Sequence, residues 1–124
     1  MSASLHVSVY EPDLSPEALG GLRRLLLAER NAVVARRAEH ESLIAELRGL
    51  TDADSAVERE LAETGVTRAD ETLADIGDAL RRLDSGAYGT CESCGLAVPL
   101  ERLEAIPSAR LCVACTGRRV DRPR

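Results

Sequence analysis

From Leu19 onward the apolar residues of this chain recur at heptad spacing. Leu19, Leu26, Val33, His40 and Leu47 fall on one heptad position, and Leu22, Glu29, Arg36, Leu43 and Leu50 on its partner. Seven of these ten positions are apolar, and the polar three gather in the middle. That is a coiled-coil seam, firm at both ends and weak between. Ser15-Pro16-Glu17 supplies a helix start: Ser as N-cap, Pro at the first helical position, and a carboxylate that complements the dipole. A helix from 16 to 50 spans about 50 Å at 1.5 Å per residue. This is longer than a compact domain of such a size needs, so a projecting arm is expected.

Thr51-Asp52-Ala53-Asp54 interrupts the pattern, and Ser55-Ala56-Val57-Glu58 follows as a capping box for a second helix. Ala62, Val66, Ala69, Leu73, Ile76, Leu80 and Leu83 then alternate in steps of three and four, a second seam closing near Ser85-Gly86. Helices joined by so short a connection lie antiparallel. The expected turn is around residues 51–55, with softness or bending at Gly65, Thr67 and Gly77, which are weak helix formers. The pairs Arg23-Arg24, Arg36-Arg37 and Arg81-Arg82 read as solvated helix faces. At the N-terminus, LHVSVY alternates in a way that admits a short strand as readily as a loose arm.

Past Gly86 the periodicity gives way to cysteines: Cys91-x2-Cys94, seventeen residues, then Cys112-x2-Cys115. A Cys-x2-Cys turn delivers two sulfurs to one ion, and Zn²⁺ favours four thiolates in a tetrahedron. Gly95 suits the positive φ that such a knuckle requires. The competing reading is disulfides or free thiols. No export signal is recognisable, so a reducing, cytoplasmic setting is expected. Four thiolates leave no open coordination position, which disfavours Lewis-acid catalysis. Leu96–Leu100 suits one short strand or turn between the knuckles, and the tail from Thr116, rich in Arg, reads as a frayed basic terminus.

Composition narrows the core. The chain has 124 residues, no Phe, no Trp and two Tyr, so it must pack with Leu, Ala, Val and Ile, which suit helix seams. A zinc segment of about 30 residues is too small to rest on a hydrophobic core alone, so metal binding supplies much of its folding free energy. Net charge is −5, and every base is Arg. Residues 51–63 carry five acids against the single Arg59, whereas residues 91–124 are net basic. An acidic chain of this kind is poorly suited to bulk binding of nucleic-acid backbone. No run approaches the roughly 20 apolar residues of a membrane span.

Asp52 and Asp54 have two readings. Carboxylates at a helix start cap free amides, which accounts for one of them; an acidic tip on a long hairpin also suits contact inside another molecule's cavity. His40, flanked by Glu39 and Glu41, lacks the partners a metal needs and reads as a polar seam residue. No nucleophile–base pair or phosphate loop is present, since Gly20-Gly21 lies within a helical pattern. The chain is therefore read as a non-enzyme.

Tyr88-Gly89-Thr90-Cys91-Glu92-Ser93-Cys94-Gly95, Arg102-Leu103-Glu104-Ala105-Ile106-Pro107 and Cys112-Val113-Ala114-Cys115 resemble the zinc finger of the DksA/TraR transcription regulators. The preceding hairpin with its acidic tip is similar to that family as well, so the likeness covers about residues 16–115. It implies a mainly α fold: an N-terminal arm (1–14), a long antiparallel coiled-coil hairpin (15–86), a four-cysteine zinc finger (87–116) and a basic tail (117–124). It also implies a cytoplasmic monomer that binds bacterial RNA polymerase, inserts its tip into the secondary channel and reads no operator DNA. One structural Zn²⁺ would sit on Cys91, Cys94, Cys112 and Cys115. The family tip, Asp-x-x-Asp-x-Ala, is met here by Asp54 and Ala56, with Thr51 at the first aspartate and Asp52 beside it. Arg68 is a candidate for the channel rim by its place in the family pattern. Asp75, Ile106 and Thr116 stand where the family places basic residues for the alarmone ppGpp, so ppGpp dependence is expected to be weak or absent. Two other classes fit the motif: a zinc-ribbon adaptor for a different partner, and a redox sensor that releases zinc on oxidation.

Overall fold

The computed structural model describes residues 14–121, so the strand-or-arm question at LHVSVY lies outside the described residues. The fold is mainly α: α1 (Pro16–Glu46), α2 (Ala53–Ser85), α3 (Leu100–Ala105) and α4 (Val113–Asp121). Among the described residues, extended pairing is limited to one antiparallel bridge, Thr90–Ala97. No helix there is long and apolar enough to cross a membrane. The described residues form two compact units, 27–77 and, as the second, 14–26 with 78–121.

In the unit 27–77, α1 and α2 run antiparallel. Arg37 meets Asp70, His40 meets Gly65, and Arg59 reaches the Leu47 carbonyl, so partner numbers fall along α2 as they rise along α1. Val33 and Leu47 are buried from one side, Ala62, Ala69 and Ile76 from the other. These are seam positions anticipated from the heptads. The middle is weak, as expected: Arg36 is exposed and Glu29 only partly buried. α2 nevertheless runs unbroken through Gly65, Thr67 and Gly77. Gly65 has a packing reason to be there, because a Cβ at that point would lie 2.5–2.7 Å from the ring of His40.

The turn differs from expectation at both edges. α1 ends at Glu46 rather than Leu50, because Gly49 takes φ +86° and closes the helix. Arg59 occupies the carbonyls this leaves over, donating to Leu47 O at 3.1 Å and Leu50 O at 3.3 Å. α2 begins two residues before Ser55, with Asp52 as its N-cap. The Asp52 carboxylate accepts from the Ser55 amide (3.0 Å) and the Ser55 hydroxyl (2.7 Å). Ser55 is thus the third helical residue, not the cap.

In the other unit the cap at Ser15 is as expected, accepting from the Ala18 amide at 3.1 Å. Leu22 and Leu26 of α1 and Ala79 of α2 are fully buried with Tyr88, Val98 and Leu103. Gly86, at φ +84°, turns the chain out of α2, and the amides of Ala87 and Tyr88 close on Arg82 O. Arg82 corrects the solvated-face reading: only 10% of its side chain is exposed. The segment from Thr116, expected to fray, continues α4 to Asp121.

Candidate metal centre and helical turn

The first cysteine pair sits on a short hairpin. Cys91 N donates to Leu96 O (2.8 Å) and Val98 N to Gly89 O (2.8 Å), flanking the Thr90–Ala97 bridge. Gly95 N turns back to Cys91 O at 2.9 Å with φ +80°, as its place after the knuckle requires. The second pair opens α4, where Thr116 N donates to Cys112 O at 2.9 Å. Glu92 N donates to Arg110 O (2.9 Å) and ties the two knuckles together.

All four sulfurs lie within 4.8 Å of one another, with Cys94 and Cys112 Sγ 3.8 Å apart. A tetrahedral zinc with Zn–S bonds near 2.3 Å places its sulfurs about 3.8 Å apart, so the donor set fits one ion. No disulfide joins any two of these cysteines. Their acidities are split by position. Burial opposes ionisation of Cys91, but the backbone amides of Cys112, Cys94 and Ser93 outweigh it and bring the thiol down to about 6. Cys112 is also lowered, chiefly by the Cys115 amide at the start of α4. Burial, then the facing sulfurs, push Cys115 up to about 11. Four sulfurs this close cannot all ionise without a countercharge, and a divalent ion supplies it. Four ligands close the site, which makes it structural.

Two residues without an assigned role in the sequence hold this centre in place. Arg102 of α3 donates to Leu111 O (3.1 Å) and to Thr116 Oγ1 (3.0 Å), and Thr116 Oγ1 donates to Cys112 O (3.0 Å). Tyr88 donates from its hydroxyl to Pro107 O at 2.7 Å, and burial pushes its phenol up to about 12. The Arg82 guanidinium lies 5.9 Å from the Tyr88 ring centroid and bonds Asp78 at 3.1 Å. Both Tyr88 and Arg102 belong to the motif residues quoted above; what the sequence lacked was their partners, two backbone carbonyls and the Thr116 hydroxyl.

The second candidate site is the turn. Asp52, as N-cap, comes together at the helix start with Asp54 and Ala56 in the first turn of α2. Asp52 is committed to capping, and hydrogen bonds from the Ser55 hydroxyl, then its amide, hold the carboxyl below its ordinary value. Asp54 is exposed, and among the described residues its carboxylate makes no hydrogen bond or ion pair. Arg68 stands apart from these three, exposed further along α2.

A helical hairpin preceding a closed four-cysteine finger defines the class: a zinc-finger protein whose metal supports architecture. Residues 86–120 match the model of the prokaryotic dksA/traR C4-type zinc finger. The chain is 32% identical over 119 residues to the RNA polymerase-binding transcription factor DksA of Caulobacter vibrioides, spanning 92% of this chain and 84% of that protein. It is 30% identical over 112 residues to general stress protein 16O of Bacillus subtilis, spanning 81% of this chain and 67% of that one. The structure of transcription factor DksA2 from Pseudomonas aeruginosa matches with a TM-score of 0.75 at 30% identity, over 86% of each chain. The chain belongs to the DksA/TraR zinc-finger family.

Proposed function

We propose that this chain is a non-enzymatic transcription regulator that binds bacterial RNA polymerase in the cytoplasm and presents its α1–α2 turn within the secondary channel. The observation that carries this reading is the likeness to the Caulobacter DksA, which takes in the helices as well as the finger. In this reading the zinc centre at Cys91, Cys94, Cys112 and Cys115 stabilises the finger and performs no chemistry. Asp54 is the acting carboxylate of the tip, because it is the one left free; Asp52 holds the helix start that aims it, with Ala56 alongside. Arg68 contacts the rim of the channel. The protein works as a monomer and reads no operator sequence.

Dependence on ppGpp is weak or absent. Thr116 has its hydroxyl engaged with Arg102 and Cys112, and Asp75 and Ile106 carry no positive charge. The test is Asp54→Asn in transcription with purified polymerase, alongside a binding measurement. The variant is expected to bind as the wild type does and to lose its effect on transcript yield. Full activity of the variant would refute the tip's role, and failure of the wild type to bind polymerase would refute the reading as a whole.

A further inference from the structure

Beside the seam in the unit 27–77 lies an open groove of about 400 Å³ between α1 and α2. Its polar lining is Arg36 and His40 from α1, with Thr64, Arg68 and Thr72 from α2; Val33 and Ala69 form its floor. Every one of these polar groups can donate a hydrogen bond, and among the described residues no carboxylate lines the groove. In a chain with 21 acids against 16 bases, that is a notable local exclusion of negative charge.

The arginines here also differ from their neighbours. Arg37, one residue from Arg36, pairs with Glu41 at 3.0 Å and Asp70 at 2.7 Å. Arg59 is spent on the carbonyls that end α1. Arg36 and Arg68 are exposed, and among the described residues neither guanidinium has a hydrogen-bond or ion-pair partner. His40, packed over Gly65, forms part of the same wall.

We infer that this groove is an anion-binding site for a multiply charged phosphate group, with Arg36 and Arg68 as its principal ligands. Two features favour phosphate over carboxylate. Donors reach the groove from both helices rather than from one plane, which suits a tetrahedral group with several acceptor oxygens. The volume also falls within the range of small-molecule sites. The site shares Arg68 with the proposed contact at the channel rim, but phosphate binding does not rest on that reading, because it is measured on the protein alone. Occupancy would neutralise Arg68 and so control what that flank can pair with.

The test uses the full-length, zinc-loaded protein and pyrophosphate as probe, at low ionic strength. Calorimetry gives the affinity, and the imidazole NMR signals give the location, since the chain has only two histidines. Saturable one-to-one binding that shifts the His40 signals is expected. Losing charge-assisted hydrogen bonds from two guanidiniums should weaken it about tenfold or more in the Arg36→Gln/Arg68→Gln double variant. Both side chains are exposed, so the fold should survive, as circular dichroism will report. Arg37→Gln is the control and should leave the affinity unchanged. The inference is overturned by absence of saturable binding, by an equal loss in the Arg37 variant, or by binding of a polyglutamate peptide without binding of pyrophosphate.

Discussion

Replacing Gly65 by Ala should destabilise this protein, against the usual rule for a helix interior. In a helix that tolerates the methyl, Gly→Ala gains about 0.5–1 kcal/mol, because glycine loses more backbone entropy on folding. At Gly65 the new Cβ would lie 2.5 Å from His40 Nε2, 2.6 Å from Cδ2 and 2.7 Å from Cε1. Favourable carbon contacts begin near 3.5 Å, so three ring atoms are too close by about 1 Å. The ring is the far end of a half-buried side chain beside the groove and can turn aside. The cost therefore lies in the lower part of the range of about 1–3 kcal/mol usual for overpacking, at about 1.5–2 kcal/mol, and still exceeds the propensity gain. The expected result is a net loss of about 1 kcal/mol.

The decisive measurement is a double-mutant cycle. In a His40→Ala background the obstruction is gone, and Gly65→Ala should stabilise by about 0.5–1 kcal/mol. The sign reversal corresponds to a coupling of about 1.5–2 kcal/mol, within the range for residues in contact. Urea unfolding of the four zinc-loaded proteins, followed by far-UV circular dichroism, gives each value. Gly20→Ala serves as a control, since its Cβ would meet only the Arg24 guanidinium, at an ordinary 3.8 Å. If Gly65→Ala stabilises equally with and without the imidazole, the close approach of the helices at this pair is wrong.

Three further outcomes are expected. Tyr88→Phe leaves the half-buried Pro107 carbonyl without its donor and should cost about 1 kcal/mol in the same unfolding assay; no measurable change would remove the anchor role. Because the folded pKa of Asp52 is lowered, its capping contribution is intact at neutral pH and above the ordinary carboxylate range, and is lost as pH falls through the lowered value. A carboxyl NMR titration should show this, with Ser55→Ala raising the midpoint; an unchanged midpoint would rule out the hydroxyl as the main cause. Chelation of zinc should strip hydrogen-exchange protection from the Cys91 and Val98 amides while amides of α2 between residues 62 and 76 keep theirs; simultaneous loss in both regions would show that the metal holds the helices too.

What the sequence revealed, and what it hid, follows the range of the interactions involved. The heptad reading found Leu22, Leu26 and Val33 on α1, Leu47 just past its end, and Ala62, Ala69 and Ile76 on α2, all buried, because a seam is a local periodicity. The cysteine spacing found the metal centre for the same reason. The ends of the helices were displaced because two cap signals overlap: Ser55-x-x-Glu58 satisfies the capping box, yet Asp52 stands three residues ahead of Ser55 and captures both its amide and its hydroxyl. Once Gly49 ends α1 early, Asp52 is free to do so, and Leu50, expected in the seam, is left 46% exposed. α3 is six residues long, too short for any periodicity to register. α4 was masked by Thr116 and Gly117, weak helix formers carried along by the knuckle that starts the helix. Arg82 was misjudged by residue type, since its burial depends on Asp78 and Tyr88, of which Tyr88 lies beyond the end of its own helix.

The turn between α1 and α2 shows why charge counts need the geometry beside them. Residues 51–63 hold five acids and one base, and a surface ion pair with that base would leave an ordinary solvated helix start. Arg59 instead directs its guanidinium to the Leu47 and Leu50 carbonyls, where it ends one helix rather than neutralising the next. Asp52 spends its carboxylate on Ser55. Asp54, Glu58 and Glu60 remain exposed, and among the described residues none of them has an ion-pair partner. A surface that meets this turn must therefore bring positive charge of its own, as basic side chains or a bound cation. Its affinity for the turn should then fall as added salt screens those exposed carboxylates.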